Sequence, residues 1–253
     1  MNAQQSPGTA RVGSRLVVIG LLVAVASAAA MIFSGIGYRL DLYHFRAGFT
    51  ILRWAFWFAL AGAVLSVAGL VMTGGRPRRT LVAALVGAVV GVVAAYIPWS
   101  LKQSADALPY IHDISTDTAN PPEFVAAARL RKPGDHPVTY DGKDVADLQQ
   151  KAYPDLVSFT TRAPAEKVFE AAKAAIASMG MQLVGADLAQ GRIEANQTSL
   201  LYGFTDDMVV RIATGADGTK VDVRSKSRVG RSDLGQNAKR IRIFLEKLRA
   251  ALS

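Results

Sequence analysis

At 253 residues and 51% hydrophobic content, the chain is long enough for a membrane section plus one soluble domain, a division its composition favours over a single globular body. Its net charge of +9 is unevenly placed: the first hundred residues hold eight Arg against Asp41, whereas the remainder holds 21 basic and 19 acidic residues. The basicity therefore flanks apolar segments, the nearly neutral second half offers nucleic acid little, and the absence of cysteine excludes disulfides, thiolate metal sites, a cysteine nucleophile and a lipid-attachment cysteine.

Residues 1–15 read as a polar start. Three uncharged apolar runs follow at 16–38, 54–72 and 81–99, each sufficient for a helix to cross roughly 30 Å of hydrocarbon. Residues 16–100 are thus expected to form an all-α anchor of three transmembrane helices, with a soluble domain at 101–253. The first run also has features of a secretory signal, because Arg11 and Arg15 precede it and VASAAA offers small residues for cleavage; its apolar character past those residues favours an uncleaved span.

Arg11 and Arg15 share a side with Arg76, Arg78 and Arg79, while the opposite loop carries Arg39 and Arg46 with Asp41. Lys and Arg accumulate on the cytoplasmic side, so the N-terminus and the RPRR turn are expected inside and the soluble half outside. Signal cleavage would leave that answer unchanged. Trp54, Trp57, Tyr96 and Trp99 fit aromatic anchoring at the outer interface. Ala83, Gly87, Gly91 and Ala95 form a strip of small residues. It suits either a homo-oligomer contact through Gly87 and Gly91 or packing against the chain's own first two helices. No acid, His or Lys lies inside an apolar run, so the mark of a proton or ion path is missing.

From residue 101 to about 151 the chain reads as irregular, with turn-prone pairs at Asn120-Pro121, Pro133-Gly134 and Asp141-Gly142. A loop of this length is either functional or laid over a surface. LVSFTT then reads as a strand, and Pro164 opens a helix whose Val168, Ala172, Ala175 and Met179 share a face and which Gly180 closes. MQLVGAD and GRIEANQT read as paired strands, and DMVVRIAT and TKVDVRSKS as a hairpin closed through residues 215–218. Ser232 is expected to cap a last helix with apolar Leu234, Ala238, Ile241, Leu245, Leu248 and Leu252. Strand, helix, four strands, helix implies an α+β fold, an antiparallel sheet with two helices on one face.

Two polar concentrations stand out. His112, Asp113 and Asp117, with Ser115, Thr116 and Asn120, offer the imidazole and carboxylates that a hydrolase would use. The same residue types also satisfy loop backbone by local hydrogen bonds. His136 and His44 lack recognisable ligand neighbours, no metal site or cofactor is expected, and no nucleophile elbow is present. The second concentration puts Arg224, Lys226 and Arg228 on one strand face and Arg231 and Ser232 at a helix start, where an anion could bind. Its alternative is a solvated basic face with Asp233 at the helix's positive end. Arg240 and Arg242 read as the polar flank of the last helix, or as ion-pair partners of Asp113 or Asp117.

The stretches PYIHDISTDTANPPEF, YPDL, QGRIEA and DVRSKSRVGRSDLGQNAKRIRIFLEKL together resemble the family known as domain of unknown function 1499, over roughly residues 108–248. The resemblance implies a tethered domain of bacterial envelopes or plastids, and it implies no established activity, ligand or catalytic set. The resulting expectation is a multi-pass protein of the bacterial inner membrane with a periplasmic, non-enzymatic module that binds an anionic ligand or another envelope protein. The alternative is a hydrolase-like enzyme using the His112, Asp113 and Asp117 loop with an arginine-rich pocket.

Overall fold

The computed structural model describes residues 7–75 and 77–253. Residues 1–6 of the polar start, and Arg76 of the RPRR turn, lie outside the described residues. Contacts divide the chain into two compact units. The first holds the three long helices as far as Gln103, with Leu200–Gly203, and the second holds Ser104–Ser199 with Phe204–Ser253.

In the first unit, α1 (Pro7–Arg39), α2 (Phe45–Thr73) and α3 (Arg78–Asp106) are each long and apolar enough to cross a membrane. Each helix extends past its apolar run at both ends. The buried side of α1 runs through Gly13, Val17, Gly20, Ala24, Ser27, Met31 and Ser34, and that of α2 through Ala55, Ala59, Gly62, Ser66, Gly69 and Thr73. Steps of three and four with so many small residues bring backbones close, which is what holds helices together where lipid removes the hydrophobic incentive. In α3 the buried set is Ala84, Gly87, Gly91, Ala94 and Ala95, so Ala84 takes the place expected of Ala83. Gly87 and Gly91 are turned toward the chain's own helices: a methyl group on Gly91 would meet Ala59 O at 2.6 Å, and one on Gly87 would collide with Ser66 Oγ. Also in this unit, the Tyr202 hydroxyl lies 2.9 Å from Ser34 Oγ.

The second unit is α+β. Its elements are β1 (Asp113–Ser115), a short 3-10 turn (Ala127–Leu130), α4 (Lys143–Ala152), β2 (Phe159–Thr161), α5 (Ala165–Ser178), β3 (Gln182–Asp187), β4 (Arg192–Thr198), β5 (Thr205–Gly215), β6 (Gly218–Ser227) and α6 (Gln236–Leu252). The antiparallel sheet has the order β1-β6-β5-β4-β3, and β2 also pairs with β6. β1 takes Arg224–Lys226 and β2 takes Thr219–Val221 along one edge of β6. Thr116 fills the gap between them by exchanging bonds with Val223.

Side chains alternate across a strand. Ile193 and Ala195, Met208, Val210 and Ile212, and Val221 and Val223 therefore meet Val168, Phe169, Ala172 and Ile176 of α5 and Ile241, Phe244, Leu245 and Leu248 of α6 in one core. Gly180, at φ +67, ends the α5 turn where an L side chain would be strained.

Two expectations need correction. The stretch from 101 to 151 is not structureless: α3 continues to Asp106, β1 forms, and α4 spans Lys143–Ala152. α4 buries only Ala146 and Gln149, so it has no apolar stripe to read, and the three residues of β1 owe their conformation to β6. The last helix begins at Gln236, after Gly235 in the left-handed region, and Ser232 is not its cap. Asp233 carries out that role, its carboxylate accepting from Gly235 N and Asn237 N at 2.8 Å each, while Leu234 sits at φ +53 ahead of the helix.

Phe244 is fully buried between sheet and helices. Phe244→Ala is expected to cost the second unit about 3–5 kcal/mol, measured by pulse proteolysis of the full chain across a urea series.

Candidate functional site

The same alternation that sends Val and Met to the helix layer sends charge to the other face. Glu194 from β4, Asp207 and Arg211 from β5, Asp222, Arg224 and Lys226 from β6, and Arg228 just past its end all project there, and residues 116–141 lie over them. Phe124, Ala127 and Val209 form a small apolar cluster in that layer, with Val138 and Val184 packed against it. Gly185 stands at a register shift in β3, where an added methyl would meet the Ala126 side chain at 2.8 Å.

Asp113 is fully buried. Its Oδ1 accepts from Arg224 Nε and its Oδ2 from the Arg224 terminal nitrogen, both at 2.8 Å, with Lys226 Nζ at 3.1 Å. Arg224 also donates to the carbonyls of Pro122 and Val138, and its guanidinium lies over the rings of Phe124 and Tyr140. Lys226 donates to Thr139 O at 2.7 Å and to Asp141 at 2.6 Å. The expected solvated basic face is therefore wrong: Arg224 is 2% and Lys226 0% exposed, because the covering segment supplies carbonyls, carboxylates and aromatic faces in place of water.

Arg228 grips Asp207, which Arg131 also approaches at 3.0 Å. Asp117 lies 3.1 Å from Arg211 and 3.0 Å from Lys220, and both cations also reach Asp222. Burial pushes the Asp117 carboxyl up, but the Asn120 N–H and the Lys220 and Arg211 charges hold it below the ordinary carboxylate value on balance. Glu194 accepts from the backbone N–H groups of Val125, Ala126 and Ala127 at 2.8–3.1 Å, anchoring the covering segment where its 3-10 turn begins. Arg240 and Arg242 pair with Asp206 and Asp155 rather than with Asp113 or Asp117.

His112 accepts at its carbonyl from Ser227 N and Asn237 Nδ2, and its ring stacks on His136 with centroids 4.1 Å apart. His136 thus has a neighbour that sequence reading did not supply. The His112 Nε2 lies 3.3 Å from Asp141 Oδ2 without hydrogen-bond alignment, and the side chain is 14% exposed. Arg231 is exposed and its side chain makes no hydrogen bond or ion pair among the described residues; Ser232 Oγ accepts from Leu234 N.

The two polar concentrations do meet, through Asp113 with Arg224 and Lys226, but they meet as buried partners. A guanidinium fork already holding a carboxylate has no such geometry left for a ligand. One cavity of about 210 Å³ lies between Val125, Ala126 and Arg129 and the Gly185–Asp187 stretch with Arg192 and Glu194; a second, of about 160 Å³, lies beside α6. Neither is lined by His112, Asp113 or Asp117. Among the described residues, no group of three or more His, Asp or Glu could hold a metal ion. The residues missed from sequence are Arg131, Glu194, Asp207, Arg211 and Asp222. For those on strands, the signal was charge recurring at every second position opposite a face already assigned to the core.

Removing one partner of a buried pair leaves the other without compensation. Asp113→Asn is therefore expected to cost about 3–5 kcal/mol, and adding Arg224→Met to recover part of it, in a double-mutant cycle read by urea unfolding. A second expectation concerns pH. Burial lowers the His112 imidazole below its ordinary 6.5, as do the charges of His136 and Lys226, while Asp141 and Asp113 oppose this. The folded state then binds fewer protons than the unfolded chain, so the full contribution is present above 6.5 and is lost as pH falls from there through the lower folded value. The stability of the second unit, read by thermal unfolding, should drop over that interval with a slope of up to about 1.4 kcal/mol per pH unit, and His112→Gln should flatten it.

Compared with known proteins, residues 113–248, more than half the chain, match the family described as protein of unknown function (DUF1499). No curated protein matches the chain. A solved structure, that of TTHA0849 from Thermus thermophilus, aligns over 38% of this chain and 97% of its own, at 12% identity and a TM-score of 0.25. With β1 at its first residue and α6 near its last, the matched stretch encloses the sheet, both of its layers and the buried ion pairs, and on this match the chain belongs to the DUF1499 family of proteins of unknown function.

Proposed function

We propose that this is a membrane-anchored, non-enzymatic module whose second unit works on the periplasmic side of a bacterial inner membrane, binding a ligand or a partner protein. The observation that carries the non-enzymatic reading is the pairing on the covered sheet face. The groups best suited to acid-base or anion chemistry, Asp113, Asp207, Arg224, Lys226 and Arg228, are matched with one another under residues 116–141. Catalysis by His112 would need an open cleft shared with a carboxylate and a cation. What is left for recognition is the outer surface.

The anchor reading rests on three helices of spanning length and apolarity. The side rests on charge: Arg11, Arg15, Arg78 and Arg79 flank one set of helix ends, and Arg39 and Arg46 with Asp41 flank the other.

The chain lacks cysteine, so single introduced thiols can be read without background. Ser104 and Arg78 are exposed at opposite ends of α3. In spheroplasts, a membrane-impermeant maleimide is expected to label Ser104→Cys directly and Arg78→Cys only after permeabilisation. The reverse pattern would overturn the proposal.

A further inference from the structure

The 160 Å³ cavity beside α6 differs in kind from its larger counterpart. The larger one mixes Arg129 and Arg192 with Asp187 and Glu194, whereas the smaller is lined by Lys239, Arg240 and Lys247 with Gln197, Gln236, Met179 and Ile243, and no acidic residue lines it among the described residues. Lys239, Ile243 and Lys247 are four residues apart in turn, so they share one helix face. Their stems start about 12 Å apart along the helix, and Ile243 and Met179 are the apolar residues of the same lining.

Among the described residues, some surface cations of the second unit are paired and others, such as Arg231, are not; what sets these two lysines apart is that they line one cavity with no acidic residue in its lining. Lys143 meets Asp147, Lys173 meets Glu170, Lys220 meets Asp117 and Arg242 meets Asp155. Among the described residues, neither the Lys239 nor the Lys247 ammonium has an ion pair or hydrogen bond, although both line a cavity. The back wall is built rather than loose. Arg240, 8% exposed, is held by Asp206, Gln197, Ser225 and Asn237, and Gln197 donates to Met179 O. Arg240 is thereby paired and fixed, leaving Lys239 and Lys247 as the two lining cations without an ion-pair partner among the described residues.

We infer that this cavity binds a phosphate-bearing anion, its head between Lys239 and Lys247 and any attached alkyl portion against Ile243 and Met179. The inference rests on the binding-module reading and gives it a place and a ligand chemistry. A phospholipid head group and a soluble phosphate share that chemistry. The site is separate from Arg224, Arg228, Arg231 and Ser232, the residues at which sequence reading expected an anion.

The test uses the full chain in uncharged detergent micelles, titrated calorimetrically at low salt with inorganic phosphate and with monohexyl phosphate. Saturable binding of one molecule per chain is expected for at least one probe. Lys239→Gln with Lys247→Gln should weaken it at least about tenfold, the cost of losing a charge-assisted contact. A charge-matched control, Lys151→Gln with Lys167→Gln on exposed positions, should leave it unchanged. Equal affinity for the two probes assigns the site to a soluble phosphate, and tighter binding of monohexyl phosphate assigns it to a lipid. Wild-type affinity in the Lys239 and Lys247 variant, equal weakening in the control, or no saturable binding of either probe would overturn the inference. The thiol-labelling result does not depend on any of these outcomes, so the two readings fail separately.

Discussion

The second unit is organised by one buried contact, the carboxylate of Asp113 held between Arg224 and Lys226. Burying three charges is costly unless they are paired and their remaining hydrogen-bonding groups are met. Arg224 and Lys226 have more donors than Asp113 can accept, so the structure must bring in the carbonyls of Pro122, Val138 and Thr139 and the carboxylate of Asp141. All of these come from the segment laid across the sheet. A stretch with little regular structure is thus ordered by what it must supply, and its turn residues allow its carbonyls to point inward.

The result is a sheet whose two faces are closed in different ways. Toward α5 and α6 the closure is apolar and non-directional, carried by Met208, Val210, Val223 and the aliphatic faces of the helices. Toward residues 116–141 it is directional, carried by ion pairs at Asp113, Asp207 and Asp117 and by the Glu194 carboxylate at the start of the 3-10 turn. Directional contacts set register: a two-residue slip of β1 that set Asp113 opposite Arg228 would still keep its side chains on the correct faces but would part Asp113 from Arg224. The charge pattern therefore specifies a pairing that apolar alternation alone would leave ambiguous.

Much of this was legible in the amino-acid order. Three uncharged runs marked the long helices; Val168, Ala172 and Ala175 marked α5, and the alternation in DMVVRIAT and TKVDVRSKS marked the hairpin that became β5 and β6. α4 and β1 were not legible, because Ala146 and Gln149 make no stripe and three residues make no alternation. Arg224 and Lys226 of β6 were placed on one face correctly, yet read as solvated, because burial there depends on carboxylates and carbonyls about a hundred positions away. Ser232 was read as the cap of α6 in place of Asp233, since the choice turned on Gly235 adopting a left-handed conformation.

The separation between partners bears on how the chain is made. Asp113 and its guanidinium are 111 residues apart, and Asp117 waits 94 residues for Arg211. β6 receives β1, β2 and β5, and it is the last strand to leave the ribosome. Until it arrives, the early strands have no ladder to join and the cover has nothing to lie on. Such non-local topology folds slowly and as a late collective event. The waiting segment presents Asp, Pro and Gly rather than bare hydrocarbon, so the nascent polypeptide stays hydrated during the interval in which it would otherwise be most prone to aggregate.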